Sequence, residues 1–361
     1  MKPAIVFLCT PKELNRERRG YFKAFSRCIT TVCVPNLPED EYESLHELVP
    51  GDLQPILFLH PDAYPRWLPK GLVASSAPTA CFSIDTFEGD INSRIHFSKL
   101  FDYAFVFHPE YDRRFQIAGH PGAICLPHAV ETDIFAGSEL ARIYDVGWVG
   151  RLDGKKYSVR RRCVQELNRR FHMNDIQRYY SPEEMALVYQ QSKIVVNLSR
   201  DDYLKDANLR CFEAIAGGAL LITPEPTELA DLGFIKDQHY VSYQRESELY
   251  PLVQFYLEHD VERDKIAKAG RILVMNNHTY DSRAQSILKL LTDSANQPSA
   301  PARNWDTAQV HATYCRYYAE SLVLDAAIDE LRKVRDYSRT QAWLLLLLLT
   351  KSFIDKIKVL L

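Results

Sequence analysis

The sequence predicts an α/β protein with two doubly wound parallel-sheet domains facing across a cleft, followed by a helical extension. Three observations support this fold class. Short apolar strands alternate with helical segments as far as about residue 290, which is the pattern of parallel sheets. At 361 residues the chain is long enough for two domains with separate cores. From residue 305 onward the sequence has long apolar and charged runs typical of helices.

Ten short apolar runs are expected to form the strands of the two sheets. The first domain would contain strands at residues 5–9, 31–34, 56–59, 79–84, 103–107 and 123–126. The second would contain strands at residues 145–149, 194–198, 219–223 and, with a weaker pattern, 240–242. Helices are expected at 158–171 and 182–192, and the second begins with a capping box formed by Ser181 and Glu184 around Pro182. The domains are then residues 1–136 and 137–292, joined near 136–144.

Beyond these domains we expect a linker and a helical tail. Residues 293–304 are rich in Pro, Ser and Ala and indicate exposed coil. Residues 305–361 carry an apolar stripe formed by Tyr314, Tyr317, Tyr318, Leu322, Leu324, Ala327 and Ile328, and an apolar run at 343–349. Three interpretations stay open: a cap packed on the core, a partner or dimer surface, and a peripheral membrane anchor flanked by Lys351, Lys356 and Lys358.

The composition indicates a globular cytoplasmic protein. A net charge of -3 argues against a general nucleic-acid binder, which needs a basic face. The eight cysteines form no CxxC pair and mostly lie in apolar runs, so we interpret them as buried thiols in a reducing compartment, without a zinc site. The N-terminal apolar run is too short for a signal peptide, and no segment approaches the ~20 apolar residues of a membrane span.

The segment 208–223, NLRCFEAIAGGALLIT, is the most informative in the chain. Asn208 is a preferred helix cap, Gly217 and Gly218 are expected to end the helix, and a β-branched strand follows. The N-terminus of such a helix attracts an anion, and Glu213 places a carboxylate about one turn inside it.

The segment 149–157, VGRLDGKKY, is a second candidate for anion binding. A strand would deliver Arg151 to the edge of the sheet, and a glycine-containing turn brings Lys155 and Lys156 nearby. Fixed cations at this place would stabilise negative charge that develops on a departing phosphate group. We interpret the following arginines Arg160, Arg161 and Arg162 as a solvated helix face rather than part of a site.

Polar residues follow several of the other predicted strands. Ligands of open parallel sheets lie beyond the carboxyl ends of the strands. In the first domain these ends carry His60, Asp85, His108 and His128. In the second domain Asn197, Ser199 and Glu225 follow Arg151 in the same kind of position. We therefore expect titratable groups on both sides of the predicted cleft.

The segment around Arg210 and Glu213 resembles the nucleotide-sugar-binding helix of retaining GT-B glycosyltransferases of group 1. The similarity is greatest to the spore-maturation-protein (CgeB-like) branch, with its R-x-F-E-A-x-A-x-G pattern followed by a strand. The resemblance implies that Glu213 holds the ribose hydroxyls of the donor, and that Arg151 and the lysines hold its diphosphate without a metal. Segments 126–135 and 278–288 also resemble this family, so that the likeness covers about 126–291 and the first hundred residues only by architecture.

Two positions depart from the family pattern. Many retaining relatives have a second Glu eight positions before the one that matches Glu213, and this chain has Lys205 there. The group that contacts the donor sugar is then unassigned, with Asp206, Asn208 or nearby backbone as candidates. The loop after the first strand contains only Gly20 where many relatives have a glycine-rich turn, so the acceptor stays unnamed.

The resemblance implies a glycosyltransferase that uses a nucleotide-sugar donor, no cofactor and no metal. The acceptor would be an unidentified glycan, lipid or protein. Asp85, ranked before His60 and His108, is the candidate for holding the acceptor hydroxyl or the donor's sugar. The bound donor would involve Arg151, Lys155, Lys156, Asn197, Asn208, Arg210 and Glu213. Two alternatives are a nucleotide-sugar 2-epimerase on the same fold and a non-catalytic GT-B-like scaffold acting through its helical tail.

Overall fold

The computed structural model describes residues 1–34, 44–62, 67–87, 91–135, 140–293, 297–321 and 323–360, without the side chains of 348 and 351–360. The predicted domain junction therefore lies partly outside the described residues. The chain forms two compact units. Unit 1 consists of Met1–Arg18, Phe25–Cys125 and Leu288–Leu361, and unit 2 consists of Arg19–Ala24 and Leu126–Ile287.

Unit 1 is built on a six-stranded parallel sheet. Its strands are β1 (Lys2–Phe7), β2 (Thr30–Cys33), β3 (Leu53–His60), β4 (Thr79–Ser83), β5 (Tyr103–Val106) and β6 (Ala123–Cys125). They are ordered β2-β1-β3-β4-β5-β6, so β2 lies at one edge of the sheet. The strands after β2 are added on the other side of β1. Every residue of β4 and β5 is buried, as expected for strands covered on both faces.

Unit 2 is built on a smaller parallel sheet of four strands. These are β7 (Tyr144–Gly147), β8 (Ser192–Val196), β9 (Leu220–Pro224) and β10 (Val241–Tyr243), ordered β10-β9-β8-β7. Successive residues of β8 point to opposite faces, so Val195 joins one apolar cluster with Phe212 while Ile194 joins another with Trp148. All ten predicted strands are present, and the predicted fold class of two parallel-sheet α/β domains with a helical extension is confirmed.

The described helices are α1 (Arg16–Cys28), α2 (Ile91–Ser98), α3 (Tyr111–Ile117), α4 (Thr132–Phe135), α5 (Ser158–Arg170), α6 (Pro182–Gln190), α7 (Leu209–Ala216), α8 (Glu246–Glu258), α9 (Asp260–Asn277), α10 (Tyr280–Thr292), α11 (Thr307–Glu320), α12 (Leu324–Tyr337) and α13 (Arg339–Leu360). The capping box predicted for α6 is formed, because Ser181 Oγ accepts from the Glu184 amide and the Glu184 carboxylate accepts from the Ser181 amide. Gly218, after α7, adopts the left-handed conformation (φ 73°) expected of a helix stop.

The C-terminal helices pack within unit 1. The hydroxyls of Tyr314 and Tyr318 on α11 donate to the carbonyls of Pro69 and Leu68, at 2.5 and 2.9 Å. The buried carboxylate of Glu330 on α12 accepts from Lys70. These contacts agree with the interpretation of the tail as a helical cap packed on the core. Leu322, which is part of the predicted apolar stripe, lies outside the described residues. In the part of the chain that the structure describes, no helix combines the length and apolar character needed to cross a bilayer.

The prediction that the linker is exposed coil is wrong around residues 300–302. Ala300 and Ala302 are 1% and 0% exposed, and Pro301–Asn304 form a 3-10 turn. Arg303 donates to the buried carboxylate of Asp102 and to the carbonyl of Ser75. The Asp102 carboxylate also accepts from the amide of Ala300 at 2.8 Å. A buried carboxylate needs hydrogen-bond partners. The position of Asp102 in the sequence gives no indication that residues of the linker supply these partners.

Three buried or half-buried histidines are expected to make the fold less stable at acidic pH. Burial is the main cause that lowers the pKa of His96, His120 and His278 to about 4. The positive charge of Arg283 adds to this effect at His278. In the unfolded chain these groups titrate near ~6.5, so between about pH 6.5 and 4 the unfolded state binds more protons than the folded state. Stability is therefore complete above this window and falls as the pH decreases through it.

We expect the free energy of unfolding to be lower at pH 5 than at pH 7, by up to ~1.4 kcal/mol per histidine and pH unit. The urea concentration at the midpoint of unfolding should fall accordingly. His120→Gln should reduce this pH dependence. The measurement is urea unfolding followed by circular dichroism at both pH values. The same pH dependence in the His120→Gln variant and in the wild type would contradict this explanation.

Candidate functional site

Helix α7 of unit 2 carries a narrow polar stripe on an otherwise buried helix. Between residues 208 and 216, all of which are described, only Asn208, Arg210 and Glu213 are not buried. Arg210 and Glu213 are three residues apart and therefore lie on the same face of the helix. All three residues are candidates from the sequence; Asn208 caps the helix, and Arg210 and Glu213 share one of its faces.

The N-terminus of α7 is capped by a side chain that is itself held in place. Asn208 Oδ1 accepts from the Arg210 amide at 3.1 Å, as expected of a cap. The other side-chain atom, Nδ2, donates to Asn197 Oδ1 at 3.0 Å and to an Asp206 carboxylate oxygen at 3.3 Å. The orientation of Asn208 is therefore fixed from both ends.

Arg210 lies across the start of the second candidate motif. Its Nε donates to the Val149 carbonyl and its Nη1 donates to Asn197 Oδ1, both at 3.1 Å. The guanidinium lies 5.4 Å from the centre of the Trp148 ring. A Cβ atom at Gly150 would be 2.4 Å from Arg210 Nη2, so a side chain at this position would displace the guanidinium. Because an arginine has five N–H donors, this arrangement orients the group without using all of them.

Asn197, at the end of β8, connects these elements. It is fully buried, and Nδ2 lies within 3.3 Å of Ser199 Oγ, Thr223 Oγ1 and the Asp206 carbonyl. Its Oδ1 accepts from Asn208 and Arg210. The side chain thus joins β8, β9 and the loop before α7 in one network, which is a positioning role.

Arg160 corrects the prediction that the arginines of α5 are a solvated face. Its side chain is buried, donates to the Leu198 carbonyl at 2.7 Å and to the Arg151 carbonyl at 3.1 Å, and covers the Tyr157 ring at 4.2 Å. Burial and the positive charge of Arg210 lower the pKa of Arg160 to about 10, so it stays charged at neutral pH. Arg162, by contrast, is exposed and pairs with Glu246, as predicted.

The turn after β7 carries the exposed cations of the site. Arg151 is 68% exposed, and its Nε and Nη2 donate to the Asp153 carboxylate at 2.7 and 3.0 Å. This hydrogen-bonded carboxylate raises the pKa of Arg151. Lys156 pairs with Asp202 at 3.2 Å, and Lys155 is exposed on the same turn. Exposed pairs of this kind contribute little energy, so a bound anion can replace the carboxylates.

A buried glutamate that the sequence did not indicate supports the loop before α7. Glu228 is 1% exposed and accepts from the Tyr203 hydroxyl and from the Ala207 amide. Its own amide donates to the Lys205 carbonyl at 2.9 Å. Glu228 thus fixes residues 203–207, where the family pattern would place the second glutamate. No local sequence pattern indicates this role, because Glu228 lies more than twenty positions after residues 203–207, in a polar segment.

The candidates in unit 1 follow three neighbouring strands, β3, β4 and β5. His60 is buried, its Nε2 hydrogen-bonds with the Trp67 carbonyl at 2.8 Å, and burial lowers its pKa. His108 is buried and packs edge-on against Phe87 at 4.9 Å. Asp85 is exposed on the loop after β4. Of the three, only Asp85 is directly accessible to a ligand from solvent.

His128 and Glu225 complete the residues expected at strand ends. His128 is buried in unit 2, with its ring 6.4 Å from that of Phe212. Glu225 follows β9 and pairs with Lys236 at 3.0 Å, and this hydrogen bond lowers its pKa. These contacts give both residues a structural environment within unit 2.

The comparison with known proteins identifies the same region. Residues 135–289 match a family described as glycosyl transferase-like. No curated protein sequence matches the chain.

Solved structures resemble the chain over both units at low sequence identity. A glycosyltransferase from Rickettsia africae has 10% identity and a TM-score of 0.55, with 81% of this chain and 98% of that one covered. HepE from Anabaena in complex with UDP has 12% identity and a TM-score of 0.54, covering 81% and 100%. Sucrose-phosphate synthase from Thermosynechococcus elongatus has 13% identity and a TM-score of 0.53, covering 80% and 98%. The fold of the chain is thus that of GT-B glycosyltransferases.

Proposed function

We propose that the chain is a glycosyltransferase whose unit 2 binds the nucleoside diphosphate part of a nucleotide-sugar donor. The observation that carries this proposal is helix α7, whose capped N-terminus is followed by an oriented guanidinium and a carboxylate on one face. The matched family and a structural neighbour that binds UDP support the same class of ligand.

The diphosphate would bind between Arg210 and the turn that carries Arg151, Lys155 and Lys156. Arg210 has donors left after its contacts with Val149 and Asn197, and the helix N-terminus adds a partial positive charge. When the bond to the sugar breaks, negative charge gathers on the departing diphosphate. Fixed cations stabilise this state more than the bound donor, which lowers the barrier without requiring a metal ion.

Glu213 would hold the ribose of the donor. Its carboxylate lies one turn after Arg210 on the same face of α7, so a ligand whose phosphates contact Arg210 can extend along the helix toward it. A carboxylate can accept hydrogen bonds from two neighbouring hydroxyls. This assignment follows the resemblance to the spore-maturation-protein branch, which also implies retention of the anomeric configuration.

Asp85 is proposed as the residue of unit 1 that holds the acceptor hydroxyl. It is exposed, whereas His60 and His108 are buried and the imidazole of His60 is already engaged with Trp67. A carboxylate at a strand end can accept a hydrogen bond from a hydroxyl of the acceptor or of the donor's sugar and so orient it.

Thermal-shift measurements with UDP-, GDP- and dTDP-sugars test the proposed function. One of these donors should raise the unfolding temperature, because a ligand at about a hundredfold over its dissociation constant adds ~2.7 kcal/mol to the stability of the folded state. The nucleotide that acts would identify the base. If none of the three series stabilises the chain, the proposal is wrong; conversion of the donor to an isomer without transfer would favour the epimerase alternative.

Replacing Arg151 by alanine should lower turnover more than it raises KM. The reason is that Arg151, exposed and held by a weak pair with Asp153, would interact more strongly with the departing diphosphate than with the bound donor. The measurement is steady-state kinetics in EDTA, where the wild type should remain fully active. The control Arg169→Ala removes an arginine that is 77% exposed on α5. A change confined to KM, or activity that requires added Mg²⁺ or Mn²⁺, would contradict this role.

A further inference from the structure

The tail helices α12 and α13 expose an unusual concentration of large apolar side chains. Trp343 and Leu347 are 67% and 62% exposed, and Leu344, Leu346 and Ile328 are 42–57% exposed. In the described part of unit 2, by contrast, the exposed large apolar residues lie at least six positions apart along the sequence. A contiguous apolar patch of this kind on a folded protein indicates an interaction surface.

The same two helices border an arginine-lined groove of about 300 Å³. Leu331, Ala342 and Leu346 contribute its apolar lining, and Arg332, Arg335 and Arg339 contribute its cationic lining. Arg332 pairs with Asp329 at 2.9 Å and Arg335 with Asp336 at 3.3 Å, all four side chains being exposed. Such exposed pairs are weak, so the guanidinium groups can bind other anions.

The charge of α13 differs in sign from that of the whole chain. Residues 339–360 contain four basic residues and one acidic residue, while the chain has a net charge of -3. Arg339, at the start of α13, places its positive charge beside Trp343 in the lining of the groove. The charge favours an anionic partner with an apolar interior.

We propose that the α12–α13 surface binds the headgroup region of an anionic phospholipid bilayer. Arg332, Arg335 and Arg339 would contact lipid phosphates, and Trp343 and Leu347 would insert beside the upper acyl chains. Basic residues near an anionic leaflet and apolar residues below the headgroups both contribute to such binding. The surface is held on unit 1 by the Glu330–Lys70 contact and the α11 tyrosines, so it carries the rest of unit 1 with it.

Vesicle co-sedimentation of the full chain tests this proposal. Vesicles of phosphatidylcholine with phosphatidylglycerol should bind the wild type ~10-fold or more tightly than vesicles of phosphatidylcholine alone, and salt should weaken the binding. The variant Trp343→Ser/Leu347→Ser and the variant Arg332→Gln/Arg335→Gln/Arg339→Gln should each lose most of it. The matched controls Ile272→Ser and Arg169→Gln/Arg170→Gln change exposed residues of unit 2 and should bind as the wild type does.

Thermal unfolding of each variant shows whether it is folded, and the arginine variant tests the proposal even if the apolar variant is unstable. Equal binding of the wild type to both kinds of vesicle, or no binding, would overturn the proposal. So would a dimer in size-exclusion chromatography that Trp343→Ser/Leu347→Ser dissociates while vesicle binding is absent, because the patch would then be covered by a second copy.

Discussion

Replacing Arg210 by methionine is expected to lower the affinity for a nucleoside diphosphate by roughly 10–100-fold. A charge-assisted hydrogen bond to phosphate contributes ~1.5–3 kcal/mol, and α7 has no other cation to replace this one. Methionine retains most of the apolar stem that packs beside Trp148 and Gly150. Because the guanidinium would contact only the phosphates, the affinity for inorganic pyrophosphate should fall by the same factor. Isothermal titration calorimetry with both ligands measures this effect.

Two further variants define what the loss means. Arg210→Lys keeps the charge but not the planar fork that donates to Val149 and Asn197, so it should bind only slightly better than Arg210→Met. Arg162→Met removes an exposed arginine of the same unit and should leave affinity unchanged. If Arg210→Met folds and binds pyrophosphate as tightly as the wild type, Arg210 is only a structural residue.

Replacing Glu213 by glutamine should weaken binding of the nucleoside diphosphate while leaving pyrophosphate binding intact. Glutamine has the same shape, so the fold should be unaffected, but a neutral amide replaces a carboxylate that would accept from two ribose hydroxyls. Loss of one charge-assisted hydrogen bond to a ribose hydroxyl should cost ~1.5–3 kcal/mol of binding free energy, which is about 10–100-fold in affinity. The contrast with Arg210→Met separates the ribose end of the site from its phosphate end.

The control for Glu213 is Glu262→Gln, an exposed carboxylate on α9 of the same unit. It should bind both ligands with wild-type affinity. Equal losses for the nucleotide and for pyrophosphate in Glu213→Gln would place the carboxylate near the phosphates or show that it acts through the fold. Wild-type affinity for both ligands would remove Glu213 from the site.

The sheets could be predicted from the sequence because their strands are short apolar runs, of which β4 and β5 are buried on both faces. The ends of α6 and α7 could be predicted as well, since Ser181, Asn208 and Gly218 act through local backbone geometry. In the candidate site, the motif around Arg210 was informative for the same reason. Its residues are neighbours along one helix, and the spacing alone places them on one face.

Contacts between distant segments explain what the sequence did not show. Arg160 lies in a run of three arginines, and only the fold reveals that the carbonyls of Leu198 and Arg151 surround it. Its spacing from Tyr157, three residues earlier, was the available signal. The burial of the linker depends on Asp102, which is far from Arg303 in the sequence. Glu228 likewise supports residues 203–207 through contacts that no local pattern encodes.

Hydrogen–deuterium exchange with and without the nucleotide that gives the largest thermal shift tests the central claim most directly. A ligand held by α7 and the turn after β7 should slow exchange in residues 149–157 and 208–216 of unit 2, and Arg210→Met should abolish this protection. Protection that lies only in unit 1, or that is unchanged in Arg210→Met, would contradict the proposed donor site.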